Sequence, residues 1–275
     1  YELFYTEKEL SNDSKLRIFP ERDKVNLACL MQGDMPKQSN EIAIDRMYAD
    51  NNQLVIGDTL TSGTQTWTIT GLLALPDYSC LFEKNSDTMF DATKFGVAVV
   101  AQDTFEAISS DDKTFCYAWK YQQSPADETE ENTRAEDFLK FLSGEVQLEG
   151  FIPRYANQAI VFAGNDMGSD RGMMIMLLYM IIAIMAFVFC LVISDTIAKE
   201  AAVIGTLRAS GYTKRELMVH YMTMPVIVTL VSALLGNILG YSFMKNYCAG
   251  MYYGSYSLPT YVTIWNGEAF VLTTG

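Results

Sequence analysis

From Gly172 to Ser194 the chain reads GMMIMLLYMIIAIMAFVFCLVIS, 23 residues without a charge, bracketed by Arg171 and Asp195. As a helix this run would reach about 34 Å, enough for a bilayer core. Buried helices of soluble proteins are usually shorter and interrupted by polar residues, so the pattern predicts a membrane span. A second run, Tyr221 to Met244, is equally free of charge, although Pro225, Gly236, Asn237 and Gly240 make it less purely apolar. Pro225 is expected near the first turn, where a missing N–H costs little. Ser232, Gly236 and Gly240 recur at every fourth position, which predicts a helix-packing face that lets a neighbouring helix approach closely in lipid.

The short connection between the two runs carries Lys199, Arg208, Lys214 and Arg215. Basic residues collect on the cytoplasmic side of membrane spans, so the connection is expected inside and the residues before the first span outside. The connection has its own pattern. Ala198 to Ala209 reads as a helix, Gly211 as its left-handed C-terminal cap, and Thr213 with Glu216 as the capping box of the next helix. Tyr212 and Leu217 have the spacing of a hydrophobic staple. Val203, Ile204 and Leu207 are expected to be exposed on this turn, which predicts a docking surface for a cytoplasmic protein. The alternative is an interfacial helix resting on anionic lipid.

Before the first span the periodicity changes. NEIAID alternates Ile42 and Ile44 with charged or small neighbours, while QLVIGDTL and TWTITGLLAL are rich in β-branched residues and separated by the turn-like TSGT. Helices are expected at Ile44 to Asn51, Asp103 to Ile108 and Arg134 to Ser143, the last opened by a capping box of Thr133 with Glu136. Strands and helices without strict alternation predict an α+β domain, with a strand-rich insertion around residues 53 to 100.

Charge divides the chain in the same place. Up to position 170 there are 14 Lys and Arg against 29 Asp and Glu, and beyond it 6 against 4. An acidic polar half followed by an apolar, slightly basic half implies two solvents, and the shortage of clustered cations in the first half argues against nucleic acid as a partner. The expected organisation is an extracytoplasmic domain at 1–170, a span at 171–196, cytoplasmic coupling helices at 197–220, a second span at 221–245, and an extracytoplasmic loop leading into a further membrane segment at 246–275. The chain opens on Tyr1, so it reads as a piece of something longer, with an earlier span expected before it.

Little catalytic chemistry is legible. The only histidine, His220, lies beside the predicted inner membrane surface, which removes a Ser-His-Asp triad, a histidine zinc cluster and H-E-x-x-H from the outer half. ADNN at 49–52 lacks calcium-loop spacing, and the acidic run ADETEENTRAED is expected to be a solvated loop leading into a helix. The five cysteines contain no C-x-x-C and predict no pair. No catalytic, cofactor or metal site is predicted.

KEAAVIGTLRASGYTKREL, followed by a span with spaced glycines, resembles the cytoplasmic loop and following membrane helix of FtsX/MacB-like permeases. In the outer half, MQGDMPKQSNEIAIDRMYADNNQLVIGDTL is similar to a segment of the MacB-like periplasmic core, and WTITGLLALPDYSCLF and MFDATKFGVAVV resemble large Gram-positive permeases of that family. The likeness runs from about Leu30 to Met244. It implies an ABC transporter permease powered by a separate ATPase subunit, and the chain has no G-x-x-x-x-G-K-[ST] phosphate loop of its own. By the same resemblance Glu200, Ile204, Gly205, Leu207, Arg208 and Gly211, together with the apolar Val203, form the ATPase-coupling region. The permease would pass ATP-driven motion through its membrane helices to the outer domain, for export, extraction or mechanotransmission acting on a lipoprotein, peptide, antimicrobial or cell-wall regulator. Its other partners would be membrane lipid, the rest of the permease and a second permease copy or half. The alternative reading is a membrane-anchored sensor or binding protein without an ATPase. Carboxylate chemistry in an outer enzyme comes third.

Overall fold

A computed structural model describes residues 1–274. The chain divides into two units, Tyr1–Asp166 with Met251–Val262, and Met167–Gly250 with the residues from Thr263 onward. The first unit is built on a seven-stranded mixed sheet: β1 Thr6–Glu9, β2 Lys15–Pro20, β3 Cys29–Gly33, β4 Glu41–Asp45, β5 Thr59–Ser62, β6 Gln65–Ala74 and β7 Phe95–Val100. The strand order is β1-β2-β7-β4-β6-β3, with β5 also on β6. β2 runs parallel to β7 and β4 parallel to β6, while the remaining pairs are antiparallel.

This topology corrects the expected insertion. β5 to β7 belong to the same sheet as β1 to β4, and β7 sits in its middle between β2 and β4. The alternation in NEIAID also understates burial, since Ile42, Ala43 and Ile44 are all fully buried, as is every residue of β7. A strand covered on both faces has no polar side to show. The predicted turn is present: TSGT joins β5 to β6, with Gly63 at φ 57°, a left-handed conformation glycine adopts without strain.

Three helices of this unit differ from the expected ones in their bounds. α1 spans Arg46–Asn51, because Ile44 and Asp45 end β4 and Asp45 caps the helix by accepting from the N–H groups of Met47 and Tyr48. α2 spans Gln102–Glu106. α3 spans Glu128–Glu145, so the acidic run is its first turns rather than a loop. Its cap is Asp127, which accepts from Glu130 N–H at 2.8 Å. The expected Thr133–Glu136 box does not form, and the Thr133 hydroxyl instead donates to the Thr129 carbonyl within the helix. Glu128, Glu130 and Glu131 favour this earlier start, since carboxylates stabilise the positive end of a helix dipole.

The second unit is helical. α4, Gln158–Lys199, starts well before the uncharged run, and its first turns belong to the sheet unit, where Ala159 and Ala163 are buried. α5 is Ala201–Ala209 and α6 is Lys214–Leu239. A π turn at Gly240–Met244 leads into α7, Lys245–Ser255, so much of the expected loop after the second run is helix. α8 is Gly267–Thr274 and lies against α6. Because α6 starts at Lys214, Pro225 falls in the helix interior and not in the first turn, and the Tyr221 carbonyl loses its usual i+4 donor.

Candidate functional site

Two helices of the chain are long and apolar enough to cross a membrane, Gln158–Lys199 and Lys214–Ser255, and none of the residues in their most apolar windows is buried. A core helix of a soluble protein would be mostly covered, so these surfaces need lipid or other membrane helices.

The turn between them is built from local rules. α4 ends at Lys199, whose ammonium pairs with Asp195 at 2.6 Å, and the chain breaks at Glu200 before α5. α5 ends in a Schellman motif. Tyr212 N–H donates to the Leu207 carbonyl at 3.1 Å and Gly211 N–H to the Arg208 carbonyl at 3.2 Å, with Gly211 at φ 103°. The Arg208 guanidinium adds a bond to the Tyr212 carbonyl at 3.1 Å. Thr213 then opens α6 with the full capping box: its hydroxyl accepts from Glu216 N–H at 3.3 Å, and the Glu216 carboxylate accepts from Thr213 N–H at 2.7 Å. That N–H, with the Thr213 hydroxyl, holds the Glu216 carboxyl below its ordinary range. The Tyr221 hydroxyl reaches across the turn to Glu200 Oε2 at 2.5 Å, tying the entry of α5 to α6.

Glu200, Val203, Ile204, Gly205, Leu207, Arg208 and Gly211 therefore fall on one short helix and its two ends. Val203 is 56% exposed, but Ile204 and Leu207 are half-buried, against the expectation that all three stand free. Gly205 and Gly211 have open space where a Cβ would stand. The same is true of Gly236 and Gly240. Among the described residues the Ser232, Gly236 and Gly240 face therefore has no close helix partner at its two glycines.

A second cluster escaped sequence reading altogether. In the sheet unit the last turn of α7 and the residues after it lie on the start of α1: the Arg46 guanidinium donates to the carbonyls of Tyr253 at 2.7 Å and Tyr256 at 2.9 Å, and the Ser257 hydroxyl donates to Asp45 Oδ2. Ser257 N–H donates to the Ser79 carbonyl at 2.9 Å. Tyr256 is buried against Phe90 and Phe162, and its hydroxyl donates to Asp166 at 2.6 Å. No pattern along the chain links positions so far apart.

Burial lifts the Asp45 carboxyl to about 6 from an ordinary 3.8, against the pull of the bonds from Ser257, Tyr48 and Met47. The folded chain thus holds this proton more tightly than the unfolded one. The resulting stabilisation is full below the unfolded value and is lost as pH rises through the folded one. Between pH 5 and 7 the loss should be about 1.4 kcal/mol. Asp45→Asn keeps an acceptor for the helix cap and binds no proton. Thermal melts of the detergent-solubilised chain should therefore show wild type losing stability relative to Asp45→Asn across that range, and parallel pH profiles would contradict the assignment.

No metal-binding group of three or more His, Cys, Asp or Glu occurs among the described residues. Unburied apolar helices joined by a capped basic turn define a membrane protein. Residues 175–274 match the family model of the FtsX-like permease C-terminal region. The match takes in most of the helical unit and little more than a third of the chain, and the sheet unit lies largely outside it. No curated protein matches the chain. Among solved structures it is similar to a crystallised domain of a protein described as a permease from Porphyromonas gingivalis, at 12% identity over 54% of this chain and 71% of that one. The TM-score of that match is 0.27.

Proposed function

We propose that the chain is the part of an ABC transporter permease that passes ATP-driven motion from a separate ATPase subunit, through α4 and α6–α7, to an extracytoplasmic sheet unit of the MacB-like core type. The observation that supports this reading is the capped turn itself, a short helix with Val203 exposed and Ile204 and Leu207 half-buried, between two unburied apolar helices. A flexible hairpin loop would need neither a Schellman motif nor a capping box, whereas a lever pressed by a partner has to be stiff. Lys199, Arg208, Lys214 and Arg215 support a cytoplasmic turn, with residues 1–170 outside. No substrate need pass through the spans of such a permease, and the substrate class is a lipoprotein, peptide, antimicrobial or cell-wall regulator handled by the outer unit. Ser232, Gly236 and Gly240 would pack against another membrane helix, from the same permease or a second half.

Cysteine labelling of intact cells tests the topology, using single cysteines at Ser124 and Ser210 in a background without the native five. The impermeant reagent should mark position 124 and spare 210, and the reverse pattern would overturn the orientation. Vanadate-sensitive ATP hydrolysis should accompany the chain when it is affinity-purified in mild detergent. A permease preparation without it would favour the lipid-resting alternative.

A further inference from the structure

The chain leaves the sheet unit through α4 after Asp166 and re-enters it at Met251, after both apolar helices. The two crossing points differ in what they hold. α4 is fastened near its start to a loop, by the bonds from the Ser79 hydroxyl and Cys80 N–H to the Ala159 carbonyl at 2.8 and 3.1 Å. The returning segment also touches that loop, through Ser257 N–H on the Ser79 carbonyl, but it is fastened to the sheet centre as well. Its carbonyls at Tyr253 and Tyr256 are gripped by Arg46 and its Ser257 hydroxyl by Asp45, the two residues at the junction of β4 and α1. β4 is hydrogen-bonded on both sides, to β7 and β6.

We propose that this clasp is where displacement of the membrane helices enters the outer unit, with Arg46 and Ser257 as positioning residues. The inference rests on the reading above, that ATP-driven motion reaches this unit. Arg46 suits the role because its guanidinium is fixed from several sides, by Asp50 at 2.6 Å and by the Tyr253 ring at 5.5 Å, while its side chain is only 16% exposed. Its Nη2 bonds both carbonyls, three residues apart, while its Nη1 bonds Asp50 of α1, so one planar group couples the backbone of the returning segment to that helix. The contact recognises main chain, so it reads the position of the returning segment rather than the identity of its side chains. Ser257 adds a second attachment at a fully buried carboxylate. Tyr256 joins the two crossing points through its bond to Asp166, so the clasp and the start of α4 move as one body.

The test uses the full permease with its ATPase in detergent or nanodiscs, comparing amide hydrogen exchange without nucleotide and with ATP plus orthovanadate. In wild type, trapping should change protection in both 251–257 and α1, by about tenfold where a local opening is shifted. In Arg46→Gln and Ser257→Ala the change should persist in 251–257 and fall below about twofold in α1. Ser257→Thr keeps the hydroxyl and should restore it. Ser257→Ala removes one hydroxyl and no packed volume of consequence, so it keeps the test open if Arg46→Gln fails to fold. Equal changes in α1 for wild type and both variants would overturn the clasp while leaving the motion-transmitting permease intact. Absence of any nucleotide-dependent change in the wild-type sheet unit, with ATP hydrolysis present, would overturn that reading and the clasp with it.

Discussion

Val203→Asp should strip the permease of its ATPase while leaving its membrane helices and sheet unit in place. Val203 is 56% exposed, and a carboxylate there is solvated in the free chain. Once a partner covers this face, the charge is buried without a counter-ion, which costs several kcal/mol and lowers association by a factor of about 10² or more. Leu207 is the less discriminating position because it is half-buried, so its replacement by Asp would also disturb the turn it helps to hold. Lys214→Gln provides the contrast, since an exposed charge contributes about 1 kcal/mol or less. Pull-downs from solubilised membranes, read as vanadate-sensitive ATP hydrolysis, should rank wild type and Lys214→Gln together and Val203→Asp far below. A turn that merely rests on lipid gives the opposite ranking in vesicle binding, with Lys214 and Arg215 dominant. Retention of the ATPase by Val203→Asp would remove this face from the coupling region.

Gly96→Val should unfold the sheet unit at moderate temperature. Gly96 lies in the middle strand β7, and a Cβ there would stand 2.5 Å from Cγ and 2.9 Å from Cβ of Tyr48. Tyr48 cannot give way easily: it is fully buried and its hydroxyl is bonded to that of Ser14 at 2.6 Å. Overpacking of this kind costs about 3 kcal/mol, a large fraction of the stability of a domain. Gly144→Ala in α3 makes the matching control, because nothing lies within 4 Å of its added Cβ. There the gain in helix propensity should leave stability unchanged or raise it by about 1 kcal/mol. Limited proteolysis of the solubilised chain would separate the two, and equal resistance of Gly96→Val and wild type would refute the packing argument.

The turn was the most legible part of the molecule because its determinants lie within a few residues of one another. Gly211 and the Thr213–Glu216 pair dictate their own hydrogen bonds, and no distant partner is needed to read them. The same rule misled at α3, where Thr133 and Glu136 offered a valid box but Asp127 and the following carboxylates offered an earlier start. Nucleation at the first adequate cap wins, and residues further on are absorbed into the helix. β6 and the TSGT hairpin were visible in the β-branched pattern, whereas the central place of β7 was not, since strand order depends on pairing across the sheet. Likewise the distribution of apolar side chains marked Val203, Ile204 and Leu207 as a group without showing that two of them are half-covered.

Asp45 and Ser257 are separated by 212 positions, and both long apolar helices lie between them. During synthesis the sheet can pair its strands as soon as β7 has emerged, yet the buried carboxylate at its centre waits for a hydroxyl that is made only after the second of these helices. Until then Asp45 lacks that partner, and the aromatic pocket of Phe90 and Phe162 lacks Tyr256. Completion of the sheet unit is thereby conditional on synthesis of both apolar helices, and a chain that stops between them carries an unfinished core.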